Sequence, residues 1–89
     1  MLRYGATTQF KRDVKKVRKQ GRDIGVLDAA VQIIREQKPL PAKYREHYLG
    51  GNYKGRRECH LAPDWLLIYK ITDDAVIFER TGSHSDLFE

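Results

Sequence analysis

The hydrophobic pattern of this chain changes period once, and that change limits the folds open to it. Phe10, Val14 and Val17 fall at i, i+4 and i+7, one apolar stripe on a helix expected over Gln9–Gln20. Thr8 is its expected N-cap and Gly21 its stop. A second helix is expected over Ile24–Gln37, with Ile24, Leu27, Val31 and Ile34 on one face and Ala30 and Ile33 at its border. Pro39 and Pro41 end it, and residues 39–53 read as an irregular loop with a turn at Gly50-Gly51-Asn52. From there the spacing is that of strands: Lys54–Leu61, Trp65–Ile71 and Ala75–Gly82, joined by turns at Ala62-Pro63-Asp64 and Thr72-Asp73-Asp74. Leu66-Leu67-Ile68-Tyr69 is apolar on both faces, as in a covered central strand. Leu2–Thr7 reads as a short first strand, and the tail Ser83–Phe88 as one helical turn. The expected fold is α+β, in the order β-α-α-β-β-β. Two helices pack on one face of a mostly antiparallel four-stranded sheet, in a single domain over residues 1–89. The other face, with the 39–53 loop and the tail, is left to hold a site.

Charge is polarised along the chain. Residues 11–22 hold seven basic side chains and one acid, Asp13; residues 43–57 hold five basics against Glu46; residues 58–89 hold two basics against seven acids. A basic face of this kind suits a polyanion, either nucleic acid or an acidic protein, or else is only a solvated helix face. The lone cysteine, Cys59, permits no intrachain disulfide and is expected to be buried and inert. No apolar run approaches the roughly 20 residues needed to span a bilayer, and the N-terminal segment has no secretory pattern. A cytoplasmic protein with no membrane partner is expected.

All three histidines lie in the second half: His47 in YREHYLGG, His60 in RRECHLAPDW, His84 in FERTGSHSDLF. Each sits beside a strand end or turn, where side chains from distant segments can converge. With an ordinary pKa of about 6.5, imidazole suits proton transfer near neutral pH. Asp64 and Arg80 lie nearby in sequence, so the set suggests a metal-free acid–base site for an anionic substrate. The histidines are 13 and 24 residues apart, which matches no common zinc-ligand spacing, so no metal and no cofactor are expected. Each residue also has a plainer use. His84 could be a plain surface histidine and His47 one in a loop, though the acid–base role is favoured; His60 could be a hydrogen-bonded strand histidine and Asp64 a turn cap. Arg80 could pair with Glu79 or Glu58, and Trp65 and Phe88 could simply pack.

The strings PLPAKYREHYLGGNYKGRRECHLAPDWLLIYK and FERTGSHSDLF resemble the YafQ branch of the RelE/ParE toxin superfamily. The resemblance is close over residues 39–88; over the first half it rests on the β-α-α layout and the basic helix. It implies a RelE-like fold and the toxin of a type II toxin–antitoxin pair. Such a toxin enters the ribosomal A site and cuts mRNA without a metal. The matching functional positions are His47, His60, Asp64, Trp65, Arg80, His84 and Phe88. One departure is Glu58, where relatives can carry aspartate. The implied partners are the ribosome, with its RNA and mRNA, and a small acidic antitoxin.

The chemistry explains why such residues are needed. The substrate's 2′-OH attacks the adjacent phosphate and expels the 5′-oxygen of the next nucleotide. One group must take the 2′ proton, another must protonate the leaving oxygen, and a cation must meet the phosphoryl charge. Arg80 suits the last role because a guanidinium fork binds two oxygens at once. The residues alone do not divide acid and base roles among His47, His60, Asp64 and His84. Lys11, Lys15, Lys16, Lys19, Lys54, Arg56 and Arg57 are the candidate RNA-binding cations, with Trp65 and Phe88 as stacking platforms. Two other functions compete: a ParE-like toxin that acts by binding DNA gyrase, and a non-catalytic RNA-binding module. Neither needs the histidine set.

Overall fold

A computed structural model describes residues 2–88. The chain runs β1 (Arg3–Ala6), α1 (Thr8–Lys19), α2 (Ile24–Arg35), β2 (His47–Tyr48), β3 (Arg57–Ala62), β4 (Trp65–Ile71), β5 (Ala75–Gly82) and α3 (His84–Phe88). Short 3-10 turns at Ala42–Tyr44 and Gly51–Tyr53 flank β2. The sheet has five strands in the order β1-β5-β4-β3-β2.

This corrects the expected sheet in two respects. His47–Tyr48, expected in a loop, forms a short strand against Glu58 and Arg57 of β3. Two residues are too few to show any periodicity. The sheet is also mixed: β1 lies parallel to β5, with Arg3 opposite Ala75 and Ala6 opposite Phe78. The tail forms α3, a third helix of five residues. β3 begins at Arg57 rather than Lys54, because the chain turns through Gly51–Tyr53 and then Gly55, at φ +85°.

The helix ends differ by one or two residues from expectation, for identifiable reasons. Thr7, not Thr8, caps α1: its hydroxyl accepts from Phe10 N–H at 3.0 Å and donates to the Glu79 carbonyl at 3.0 Å. Asp23 caps α2 by accepting from Gly25 N–H at 2.9 Å. α2 stops at Arg35 because Gln37 takes the left-handed conformation (φ 60°) that more often falls to glycine after a helix.

Both long helices cover one face of the sheet. Phe10 and Val17 of α1 and Leu27, Ala30 and Ile34 of α2 pack onto Cys59, Trp65, Leu67, Tyr69, Val76 and Phe78. Ala30 is fully buried at the centre of the α2 stripe, not at its border. The opposite face carries a second, smaller cluster of Leu66, Ile68 and Leu87, with Leu49 and Tyr53 against it. β4 supplies both faces by simple alternation, which is why its run is apolar throughout. No helix among the described residues is long and apolar enough to cross a membrane.

Candidate active site

The small-cluster face gathers the three histidines. His47 on β2 stands opposite Glu58 on β3. His60, two residues beyond Glu58, projects from the same face of the same strand. His84 opens α3 just after β5 ends. The rings follow one another, with centroids 5.9 Å apart from His47 to His60 and 6.2 Å from His60 to His84. Phe88, 6.4 Å beyond His84, extends the row, and Tyr53 meets it edge-on at 5.7 Å.

Carboxylates and a carbonyl orient these rings. Glu58 is only 4% exposed, yet its Oε1 lies 3.2 Å from His47 Nε2 and 3.6 Å from His60 Nε2. The other nitrogen of His47, Nδ1, lies 2.9 Å from the Arg45 carbonyl. Arg45 reaches that position through a left-handed backbone (φ 48°). Asp64 Oδ1 is 2.8 Å from His84 Nδ1 and accepts from the His84 backbone N–H at 3.1 Å. Those same hydrogen bonds hold the Asp64 carboxyl below its ordinary range, so Asp64 is ionised and His84 Nδ1 carries the proton between them. His60 titrates below the ordinary imidazole value, chiefly because burial disfavours its charged form; His47, Arg45 and His84 add to this, while Glu58 opposes it. Beside His60 and His84 a cleft of about 650 Å³ opens between the Tyr44 turn and Pro63, with Lys43 and Arg45 at its rim.

Arg80 shares this face, opposite Ile68 on β4, but its side chain turns toward α1. Its Nε donates to Asp13 Oδ2 at 2.8 Å. Asp13 is therefore its ion-pair partner, in place of Glu79 or Glu58. That hydrogen bond is the first cause of an Arg80 pKa held above normal.

Several expected RNA contacts are occupied. Trp65 is 2% exposed, and its indole N–H donates to the Thr81 hydroxyl at 2.9 Å, so it has no free ring face and is a core residue, not a stacking platform. Lys16 pairs with Asp86 at 2.8 Å and ties α1 to α3, holding the Asp86 carboxyl down at about 2. Arg56 pairs with Glu79 at 3.0 Å. Arg57 lies 3.6 Å from Glu46 and stacks over Tyr48 at 4.8 Å. Lys11, Lys15, Lys19 and Lys54 point outward, and Phe88 is 47% exposed. Cys59 is buried, which pushes its thiol up to about 12, consistent with an inert side chain.

Three participants were given no place at the site by the sequence reading. Glu58 was visible as the i−2 neighbour of His60 on a strand, which puts both on one face. Asp13 falls between Phe10 and Val17 on the buried stripe of α1, an odd place for an acid. Tyr53 left no signal in its spacing. The histidine spacing also concealed a possible ligand set: nitrogen atoms of His47 and His60 and an oxygen of Glu58 all lie within 4.8 Å of one another.

Comparison with known proteins now adds a name to this arrangement. The sequence model described as bacterial toxin of type II toxin-antitoxin system, YafQ, matches residues 2–89. The chain belongs to the YafQ toxin family. It is 46% identical over 81 residues to the mRNA interferase toxin YafQ of Escherichia coli strain K12, an alignment covering 90% of this chain and 88% of that one. The crystal structure of YafQ from E. coli strain BL21(DE3) superposes with a TM-score of 0.95 at 39% identity, covering 100% of both chains. In the E. coli DinJ-YafQ complex the matching chain gives a TM-score of 0.92 at 41% identity, again over 100% of both. A metal-bound toxin from Helicobacter pylori gives 0.92 at 40% identity, covering 99% of this chain and 100% of that one.

Proposed function

We propose that this chain is the toxin of a type II toxin–antitoxin pair, an mRNA interferase that cuts mRNA in the ribosomal A site by metal-independent acid–base catalysis. The observation that carries the mechanism is the row of His47, His60 and His84 on one sheet face, with Glu58 buried beneath two of the rings. YafQ relatives named mRNA interferases support the activity.

In this reading His60, kept neutral at pH 7 by partial burial, takes the proton from the 2′-OH. The 2′-oxygen bonds to phosphorus, the bond to the 5′-oxygen breaks, and a 2′,3′-cyclic phosphate forms. His84, with Nδ1 held by Asp64, gives a proton from Nε2 to the leaving 5′-oxygen. Arg80 meets the non-bridging oxygens. His47, held between the Arg45 carbonyl and Glu58, closes the far end of the row. Phe88 offers an open ring for a neighbouring base. Lys11, Lys15, Lys19 and Lys54 hold ribosomal phosphates, which position the toxin without reading sequence. One domain, residues 1–89, does all of this in the cytoplasm, where translating ribosomes are.

The partner that restrains it is an acidic antitoxin, a role supported by the DinJ-YafQ complexes and by this chain's net charge of +5. Binding to DNA gyrase would leave the imidazole row without a purpose, which disfavours that alternative.

Similar structures from H. pylori are described as a metal-bound toxin and a copper-bound mutant toxin. Two imidazoles and a carboxylate are a fitting donor set for a copper or zinc ion. Such an ion would occupy the lone pairs that proton transfer requires, so metal binding and cleavage compete here.

The test is a primer-extension map of a defined mRNA on purified ribosomes. Discrete cuts within codons, with cyclic phosphate ends, are expected. Intact mRNA alongside inhibited gyrase would overturn the reading.

A further inference from the structure

α1 carries six basic side chains, all exposed, and a single acid, Asp13, which is 6% exposed. Its position between Phe10 and Val17 turns it inward, onto the sheet. A buried carboxylate is tolerated only when its oxygens are thoroughly paired. Here they accept four hydrogen bonds. Oδ2 takes Arg80 Nε at 2.8 Å and the Thr81 backbone N–H at 3.1 Å. Oδ1 takes Gln9 Nε2 at 3.0 Å and Arg80 Nη2 at 3.4 Å.

The strand arrangement explains the location. β1 covers β5 only as far as Ala6 opposite Phe78, so the Thr81 amide lies beyond its reach. α1 crosses there, and Asp13 supplies the acceptor that a longer β1 would have provided. With the Nε–Nη2 edge of Arg80 taken up by Asp13, the Tyr53 hydroxyl also bears on the guanidinium. Nη2 also lies 3.5 Å from the Asp86 carbonyl, so of the five N–H donors in the fixed fork the two on Nη1 stay clear of Asp13 and Asp86 and can meet another anion.

We propose that Asp13 is a positioning residue for cleavage. It grips the Arg80 guanidinium side-on, so that the remaining N–H groups are fixed toward the scissile phosphate, and it never touches RNA itself. This rests on the reading of Arg80 as the cation that meets that phosphate. Preorganised donors stabilise developing charge far better than mobile ones, because no reorientation is needed at the moment of reaction.

The experiment is a double-mutant cycle on single-turnover cleavage of a defined mRNA on ribosomes, using Asp13→Asn, Asp13→Ala, Arg80→Ala and the two doubles. In Asp13→Asn the amide oxygen still accepts from Thr81 N–H, so the melting temperature should stay near wild type. Its maximal rate should fall roughly tenfold with little change in KM, and that of Asp13→Ala up to about a hundredfold. In the Arg80→Ala background both Asp13 changes should have no further effect on rate. A second readout is independent of activity: the Arg80 Nε–H signal in NMR, slow to exchange in wild type, should exchange fast in Asp13→Asn. Wild-type rates in both Asp13 variants, or equal losses with and without Arg80, would overturn the proposal while leaving Arg80's own role intact. A wild-type rate in Arg80→Ala would instead remove the reading beneath it.

Discussion

The two faces of the sheet use the same strands to opposite ends. On the helix side Cys59, Leu67, Tyr69, Val76 and Phe78 are all fully buried under α1 and α2. On the other side the apolar cluster has three members, Leu66, Ile68 and Leu87, and polar side chains begin at once beside them. Glu58 and Arg80 both stand opposite Ile68, on the strands to either side of it. Residues one apart on β4 therefore serve different purposes, with Leu67 supplying cohesion and Ile68 a floor for the candidate site. Where packing is thin, ionic contacts take over: Asp13 on Arg80, Lys16 on Asp86, Glu58 on two imidazoles.

If the division is real, each face should fail in its own way. The largest expected effect is on the chemical face. His84→Ala should slow cleavage by about 10²–10⁴-fold. Its stability cost should stay under about 1 kcal/mol, because the side chain is exposed and its partner Asp64 is too. Single-turnover rates and a thermal melt check both; a normal rate would remove His84 from the mechanism. The converse variant is Leu67→Ala on the sealed face. It should lower stability by about 2–5 kcal/mol while folded molecules cleave at close to the normal rate. Denaturant titration, with rates measured well below the melting point, would expose any leakage between the faces. The smallest effect concerns an added ion. Micromolar copper or zinc should lower the cleavage rate severalfold through His47, Glu58 and His60. EDTA should restore it, with ribosomal Mg²⁺ kept supplied, and His47→Ala should abolish the sensitivity. Activation by either ion would break the claim that proton transfer and metal binding compete.

The sequence was a better guide to the sealed face than to the chemical one. Both long helices and the covered strand β4 follow from spacing alone, because burial imposes a period on the residues that pack. β2 imposes none: with two residues, its existence depends on Glu58 and Arg57 across the gap. The parallel pairing of β1 with β5 joins residues about 70 positions apart, which no local pattern encodes. Trp65, which the resemblance offered as a stacking platform, lies in the core, bonded to Thr81. The histidines stood out as a group because of their motifs. Their order in space, and the buried glutamate that joins two of them, depended on tertiary pairing.

That pairing of β1 with β5 also bears on how the protein is made. The first strand waits for the last, and Asp13 finds Arg80 only across 67 residues of chain. A nascent chain halted before residue 75 has neither β5 nor α3, and so lacks both Arg80 and His84. Contacts this distant in sequence slow folding. Without that last strand and helix, neither the row of three imidazoles nor the Asp13–Arg80 pair exists.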